Sequence, residues 1–354
     1  MTERKIIKEY DVHSYTQYMW DKFSAYDSWV KDQGIPVLSG SFVADAREVE
    51  VDDWEQRGAK GALLSFSDQR VADGYVLEIS PASSTKPRKQ LYEELIVILE
   101  GRGSTELWYE EGQKRAFEWQ RGSVFSVPIN ASHRHLNGSG KDRVRYVALT
   151  SAPPIIEVFR NHEFIFENDF VFPERFDARN PEFFDKEPEY LTEYYGGILD
   201  TNFISDIRKV NLVPREARGK GNKNMYIHIA GATMFAHVSR FPVGTYKKAH
   251  RHGPGAHIVM LDSTGYTMMW KDGEEPTRYD WAEGSVISPP AGYWHQHYNT
   301  GTEPCKFVAL HASFALASGG KGGGVEQLEA DASDAELREL YIAECAKNGV
   351  EVAV

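Results

Sequence analysis

The chain has 354 residues, enough for two domains of ordinary size, and its 41% hydrophobic content is sufficient to bury two cores. There are 40 basic residues against 52 acidic ones, giving a formal net charge of −12, and no basic run is present. This balance argues against a nucleic-acid partner.

The cysteine count and the apolar runs indicate the compartment. The two cysteines show no CxxC spacing, so a disulfide framework is not expected. The N-terminus lacks a signal-like apolar segment, and no run approaches the ~20 apolar residues of a membrane span. We therefore expect a cytoplasmic protein with no membrane partner.

Five segments are predicted in chain order. Residues 1–60, rich in aromatic and charged side chains, predict a helical arm that packs on a domain or on a neighbouring subunit. Residues 61–152 break into short apolar runs separated by turn residues, which is typical of a β-sandwich or barrel. Residues 153–222 predict a partly helical connection, and strand-like runs resume in 223–315. Residues 316–354 predict a glycine-rich linker followed by a short helix.

A histidine-rich pattern in the last strand-like region points to metal chemistry. The spacing G-x5-H-x-H runs through Gly244, His250 and His252, and residues two apart on a strand project to the same face. His295 follows a proline and a glycine that shape a turn, so it could supply a third imidazole from another strand. Imidazole suits zinc, copper, iron and nickel, and three protein ligands leave positions open for a substrate.

Part of this pattern occurs twice, which indicates an internal duplication. GSVISPPAGYWHQHYN begins at Gly284, and GSVFSVPINASHRHLN begins 162 residues earlier, at Gly122. We align Pro87 and Lys89 with the two histidines of H-x-H, and Glu94 with the slot of His257. Neither a proline nor a cationic amine is a metal ligand, so the first copy is predicted to hold no metal.

Both copies resemble the cupin superfamily, in which G-x5-H-x-H and G-x5-P-x-G-x2-H-x3-N are the two motifs of a metal site. AHRHGPGAHIVM (249–260) and WHQHYN (294–299) further resemble gentisate 1,2-dioxygenases and the related salicylate and hydroxynaphthoate dioxygenases. The resemblance implies an all-β dominated bicupin: two double-stranded β-helix (jelly-roll) barrels with helical N-terminal, linker and C-terminal segments. In that family the metal belongs to the N-terminal barrel, whereas only the C-terminal copy retains H-x-H here.

The resemblance also implies a cofactor and partners. It predicts one Fe(II) per chain on His250, His252 and His295, with Mn, Ni or Zn as alternatives. A small hydroxylated aromatic or related organic acid and O2 would be the substrates, and the chain would form a homo-oligomer.

His257 departs from this resemblance. It occupies the slot where many cupins place a glutamate ligand, whereas gentisate-type enzymes have an apolar residue there. We expect His257 to be a fourth metal ligand, with two alternatives: an acid or base beside the metal, or a residue that only lines the pocket. Four imidazoles on six-coordinate iron leave two open positions, whereas a chelated substrate plus O2 needs three.

His297 and Lys248 complete the candidate site. His297 shares a strand face with His295, so it is predicted either to carry protons or to hydrogen-bond for packing. Lys248 lies on the ligand face if the strand runs through it, and it is the candidate for binding a substrate carboxylate. Lys247 is expected to alternate away from the ligands. His237, His311 and the other histidines of strand-like runs are expected to be structural.

Two classes of function fit these patterns. The first is a metal-dependent enzyme: a mononuclear Fe(II) dioxygenase leads, and a lyase, decarboxylase or hydrolase on the same site is the alternative. The second is a bicupin that binds a small molecule without turnover. Clustered imidazoles argue against the second class, because burying them is costly unless a metal or hydrogen bonds satisfy them.

Overall fold

The computed structural model describes residues 18–19, 22–66, 70–110, 112–194, 196–314, 325–329 and 335–353. The glycine-rich linker predicted from residue 316 lies outside the described residues, as do residues 1–17 of the predicted arm. No described helix is long and apolar enough to span a membrane.

Strands dominate the described chain. In chain order they are β1 (Val37–Gly40), β2 (Phe42–Val43), β3 (Asp52–Trp54), β4 (Ala59–Phe66), β5 (Asp73–Ile79), β6 (Glu94–Glu100), β7 (Arg102–Trp108), β8 (Arg115–Gln120), β9 (Val124–Val127), β10 (Ser132–Asn137), β11 (Val144–Thr150), β12 (Glu189–Leu191), β13 (Ile198–Thr201), β14 (Phe203–Ile204), β15 (Val213–Pro214), β16 (Lys223–Ile229), β17 (Phe235–Phe241), β18 (Tyr246–Arg251), β19 (Ala256–Met260), β20 (Thr264–Trp270), β21 (Thr277–Ala282), β22 (Val286–Ile287), β23 (Trp294–Asn299), β24 (Cys305–His311) and β25 (Glu326–Gln327). The helices are α1 (Ala25–Asp32), α2 (Ala152–Phe159), α3 (His162–Phe166) and α4 (Ala335–Lys347).

The strands form two units of the same design, each with a larger and a smaller sheet. The larger sheet of the first unit has the order β1-β4-β5-β11-β6-β9-β14, and that of the second continues from β13 as β13-β16-β17-β24-β19-β22-β2. The smaller sheets are β10-β7-β8 and β21-β20-β23-β18-β25. The duplication detected in the histidine motifs therefore extends over the whole strand order.

The two units exchange a short strand. β2 follows β1 of the first unit in the chain but pairs with β22 of the second, while β14 follows β13 and pairs with β9 of the first. The exchanged segments share a pattern, F-x-x-D-x-R-x-V, beginning at Phe42 and at Phe203. Residues 37–54 contribute the strands β1 to β3, in contrast to the helical arm expected for 1–60. The connection 153–222 contributes β12 to β15 as well as helices.

Alternating side chains on the larger sheets divide between two kinds of core. In the first unit, Ile96 and Tyr146 face the interior of the jelly roll, whereas Val97 and Val147 face the second unit. The second unit presents Val259 and Leu310 to the same shared core. The two larger sheets thus pack face to face through apolar side chains, and central strands such as β6, β11 and β19 are buried on both faces as a result.

Helix α4 closes one end of the second unit. Leu337, Tyr341 and Cys345 are buried against Tyr266 and Tyr298. The Tyr341 hydroxyl lies 3.0 Å from the Thr245 carbonyl oxygen and 3.1 Å from that of Asn299. The helix therefore packs directly behind the strands β18 and β23, which carry the histidine motifs.

Candidate metal centre

Three histidines converge inside the second unit. His250 near the end of β18 lies opposite His295 of β23 in the strand register, and His252 follows directly after β18. One ring nitrogen from each of the three lies within 4.8 Å of the others. Antiparallel pairing places His250 and His295 on one face, so the convergence follows from the register and the spacing of H-x-H.

Backbone carbonyls orient the three rings. Nδ1 of His250 lies 2.9 Å from the Lys248 carbonyl oxygen, Nδ1 of His252 lies 2.8 Å from that of Gly253, and Nδ1 of His295 lies 3.1 Å from that of Tyr293. A carbonyl only accepts hydrogen bonds, so each Nδ1 is the donor and each Nε2 presents a lone pair.

The lone pairs of this group fit a divalent metal. Nε2 of His295 is buried and has no hydrogen-bond partner in the described residues. Burial also lowers the pKa of His250 and of His295 well below the usual value, which favours the neutral, metal-binding form of each ring. Three neutral imidazoles are a donor set suited to zinc, iron, nickel or copper.

The prediction that His257 is a fourth ligand is wrong. His257 pairs with Leu310 in the register of β19 and β24, and Leu310 belongs to the core shared by the two units. Its ring packs against Phe66, with centroids 5.3 Å apart, and its Nε2 would lie 3.1 Å from a Cβ placed on Gly74. His257 therefore lies on the opposite face of β19 from the three histidines, and neither acid–base action nor lining of their pocket is open to it.

A one-residue error in the alignment of the two units explains the wrong prediction for His257 and a second one, the alignment of Pro87 and Lys89 with His250 and His252. Arg88 forms a β-bridge with His133 in the first unit, and His250 pairs with His295 in the same way in the second. The backbone N–H of Asn130 donates to the Gln90 carbonyl, and the backbone N–H of Gly292 likewise donates to the His252 carbonyl. The counterparts of His250 and His252 are therefore Arg88 and Gln90, in place of the expected Pro87 and Lys89. By the same shift Glu94 aligns with Ala256, and His257 with Leu95.

In the first unit, a buried ion-pair cluster lies where the second has histidines. Glu94 Oε1 accepts from Arg57 at 3.0 Å and from Arg88 at 3.1 Å. Because of the two guanidinium groups, the pKa of the Glu94 carboxyl is lowered despite its burial. A second cation there would meet the charges of two guanidinium groups at short range.

The expected role of Lys248 is also wrong, because of a β-bulge. Lys247 pairs with His297, yet His250 pairs with His295, so the register shifts by one residue between Lys247 and His250. The shift turns Lys247 inward with the ligands, 5% exposed. Lys248 points outward and forms an ion pair with Glu329 at 2.6 Å.

A cavity of about 270 Å³ lies beside the histidines. Three cationic side chains line it, those of Arg215, Arg218 and Lys247, and none of the lining residues that the structure describes is acidic. The remaining lining residues are mostly aromatic or apolar: Tyr226, Phe235, His237, His250, His252, Gly253, Pro254, His311, Ala312, Phe314 and Val325. Such a lining suits a small acid with an apolar or aromatic body.

Lys247 is the most buried of these cations. Its Nζ lies 3.4 Å from the Ser239 hydroxyl and 4.8 Å from the centroid of the Phe307 ring, with no carboxylate of the described residues in ion-pair range. Burial and the charges of Arg218 and Arg215 lower the pKa of Lys247 well below the usual value. An anionic ligand in the cavity would offset both the burial of the Lys247 ammonium and its repulsion by the two arginines.

A repeat in the sequence indicates that one of these arginines belongs to the site. Arg57–Gly58 of the first unit recurs 161 residues later as Arg218–Gly219. Arg57 reaches the first unit's cluster and Arg218 lines the cavity of the second. Alignment of the exchanged-strand repeat would have identified Arg218 as a residue of the site.

His297 lies at the inner side of the three histidines. Its ring centroid is 5.6 Å from that of His295, and its Nδ1 lies 2.8 Å from the Thr267 hydroxyl. The same contact recurs between His135 and Thr105 in the first unit. Because both units retain it, this pair also supports the packing interpretation of His297, and a proton-carrying role remains a prediction.

The fold and the second unit match known proteins. Residues 237–311 match the model of the cupin domain family. Three similar solved structures are an oxalate decarboxylase mutant from Bacillus subtilis (10% identity, 82% of this chain and 80% of that one, TM-score 0.52), the vicilin of hazelnut, Corylus avellana (12%, 86% and 94%, 0.51), and a formate complex of the Lactobacillus farciminis oxalate decarboxylase (11%, 86% and 94%, 0.52). No curated protein sequence is close enough to count as a match.

These matches confirm the predicted fold class. The molecule is a β-rich, two-unit cupin fold, and the unit that matches the family model is the one that carries the three histidines. At 10–12% identity the structural similarity concerns the fold alone. It does not distinguish gentisate-type dioxygenases from other bicupins.

Proposed function

We propose that this protein is a metal-dependent enzyme that acts on a small organic acid, and that an Fe(II) dioxygenase acting on a hydroxylated aromatic or related acid is its best description. The observation that carries the proposal is the three-histidine group beside a cavity lined by cations and aromatic rings. Storage or passive binding would not require metal ligands oriented toward a substrate-sized space.

Among the described residues no fourth ligand joins the three histidines, and a three-ligand group favours this chemistry. Ala256, the counterpart of Glu94, shares a face with His311 and offers no donor atom, while His257 faces away. His250, His252 and His295 would hold the metal, leaving positions for a chelating acid and for O2. When bound, Fe(II) supplies Lewis acidity and one-electron redox chemistry at this point.

The chain's own residues would bind and orient the substrate. The ammonium of Lys247 and the guanidinium groups of Arg215 and Arg218 would hold a carboxylate in the cavity. Phe235 and Tyr226 would enclose an apolar body and exclude water. Holding the substrate in a fixed position next to the metal lowers the entropic part of the barrier.

Decarboxylation is the second candidate. The fold is similar to that of oxalate decarboxylases, and the same cations would place a carboxylate next to the histidines. Mn(II) centres are described for the Bacillus subtilis enzyme, so manganese is the metal to test first for this alternative.

Metal analysis and substrate turnover separate these candidates. Protein purified without chelator would be assayed for bound metal, then given a panel of hydroxybenzoates and aliphatic diacids with O2 uptake and CO2 release recorded together. Iron with stoichiometric O2 uptake supports the dioxygenase. CO2 release without net O2 uptake supports the decarboxylase, and ligand binding without turnover would support the non-catalytic class.

Variants of the histidines test the site itself. His250→Ala and His295→Ala should each lose metal, because two ligands are too few for an open site. His228→Gln is the matched control: His228 lies outside the cavity, and its Nδ1 hydrogen-bonds Asp200 at 2.7 Å. A His295→Ala protein with full metal content would overturn the assignment.

A further inference from the structure

We propose that His237 and His311, which line the cavity beside the candidate metal ligands, form a hydrogen-bonded pair that relays a proton to or from the bound acid. This inference rests on the proposed function of the same site. It assigns a role to two histidines that sequence reasoning had placed among the structural ones.

The pair is built by adjacent strands. In the register of β17 and β24, His237 lies opposite Ala309 and Phe235 lies opposite His311. His237 Nδ1 and His311 Nε2 are 2.7 Å apart, and the two ring planes differ by 26° with centroids 4.9 Å apart. Phe235 stacks on the face of His311 with centroids 4.5 Å apart, which fixes the plane of that ring.

A hydrogen bond between two neutral imidazoles permits two tautomeric arrangements. Either His237 Nδ1–H donates to His311 Nε2, or His311 Nε2–H donates to His237 Nδ1. In the first arrangement the outer proton is on His311 Nδ1, and in the second it is on His237 Nε2. Exchanging the two arrangements therefore moves one proton across the pair.

The proton balance of such a step is complete. An acidic hydroxyl of the ligand gives its proton to the outer nitrogen that lacks one, the shared proton crosses, and the opposite outer nitrogen releases a proton to water in the cavity. The reverse sequence delivers a proton to the ligand. No oxidant or further reactant is required, and neither ring remains charged afterwards.

The surroundings keep the pair neutral. Burial is the main reason that the pKa of His237 lies well below the usual value and that of His311 falls to about 3. The charged groups that face the pair across the cavity are cations, Lys247 and the two lining arginines, Arg215 and Arg218. A doubly protonated pair would be costly here, whereas a neutral pair that exchanges tautomers is not.

The first unit shows that the fold does not require this histidine pair. Tyr75 and Thr150 occupy the positions of His237 and His311 in the first unit, in the same strand register. That unit folds with the same strand order but lacks the H-x-H motif. The histidine pair therefore occurs in the unit that carries the metal ligands and is dispensable for the fold itself.

NMR of the zinc-substituted protein tests the pair without turnover. Zinc is redox-inert and diamagnetic, so ¹⁵N spectra of the imidazoles report their tautomers. We expect one coupled pair with a shared, downfield proton that disappears in His311→Ala and persists in His228→Ala. Two independently titrating imidazoles at these positions would overturn the proposal, as would a second zinc bound between them.

Chemical rescue tests the role in turnover. His311→Ala should retain its metal and bind the acid, but lose ~10²–10⁴-fold in kcat. Added imidazole should restore part of this loss, whereas cyclopentanol, which only fills space, should not. Restoration by both compounds, or full activity without either, would show a purely structural role.

Failure of the proposed function and failure of the proton relay give different results. If no acid is turned over with O2 uptake or CO2 release by the wild type, the proposed function fails. If the wild type is active and the His311→Ala variant keeps its kcat, the relay alone fails.

Discussion

At the residue scale, the direction of a single side chain separates the metal site from the domain interface. His257 and Ala256 are neighbours on β19, yet Ala256 faces the interior and His257 faces the shared core, with 0% exposure. Burial lowers the pKa of this ring to about 4, and no charged side chain among the described residues stabilises its protonated form. This histidine should therefore affect stability and leave metal binding unchanged.

Replacement of His257 by leucine, the residue of the first unit at this position, should make the protein less sensitive to acid. The folded pKa is depressed, so between about pH 6.5 and 4 the unfolded chain binds more protons and stability falls as pH falls. When the pH is lowered from 7 to 5, the wild type should lose about 2 kcal/mol more unfolding free energy than His257→Leu. Urea denaturation of the metal-free proteins at both pH values measures this.

The same variant has a second readout. Its metal content should equal that of the wild type, because the side chain lies on the far side of β19 from His250 and His295. Loss of metal in His257→Leu would contradict the placement of this residue.

Lys247 and Lys248 form a natural pair for testing substrate binding. Lys247→Met keeps the apolar stem but removes the ammonium from the cavity, so we expect a roughly 10- to 100-fold fall in kcat/KM, mostly through KM, from the loss of one charge-assisted contact. Lys248→Met removes only an exposed ion pair with Glu329 and should be nearly silent. Steady-state kinetics with metal content as a control measure both, and the opposite ranking would refute the bulge assignment.

At the scale of elements, the turn between β21 and β22 packs tightly against the segment that follows the exchanged strand β2. Gly284, which precedes β22, has a φ of +92°, and a Cβ there would lie 2.4 Å from Asp45 Oδ1. Asp45 in turn binds the Arg47 side chain at 2.7 Å. The turn and the segment after β2 are therefore packed too closely for any side chain at position 284.

Gly284→Ala should lower the free energy of unfolding by about 1–3 kcal/mol more than Gly273→Ala. Gly273 has a similar φ of +81° but open space around it, so this control carries the backbone strain without the clash. Denaturant melts of both variants measure the difference. Equal losses of unfolding free energy in the two variants would mean that the contact between this turn and the segment after β2 does not stabilise the fold.

At the scale of the whole molecule, the two units should unfold together. The larger sheet of the first unit is completed by β14, which follows β13 of the second unit, and that of the second unit is completed by β2, which follows β1 of the first. Both units also contribute to one continuous apolar core. Separation would expose that core and leave β9 and β22 each with one unpaired edge.

Hydrogen exchange at increasing denaturant measures this cooperativity. Peptides covering β11 of the first unit and β24 of the second should lose protection with the same dependence on denaturant. Two well-separated transitions would show that the units are independent despite the strand exchange.

Much of this protein follows from local sequence. The alternation of short apolar runs and turns, the repeated motif from Gly122 and from Gly284, and the H-x-H spacing were enough to predict two β-rich units with three histidines in the second. These signals are local because strand periodicity and turn residues act over a few positions.

Tertiary structure decided the residues whose orientation depends on register. A bulge in β18 turned Lys247 inward and Lys248 outward, and a one-residue shift moved His257 to the interface. The strand exchange and the contact between His237 and His311 join segments that lie far apart in the chain. Side chains on a strand alternate with period two, so a shift of one residue reverses every assignment beyond it, and only the pairing with a distant strand determines that shift.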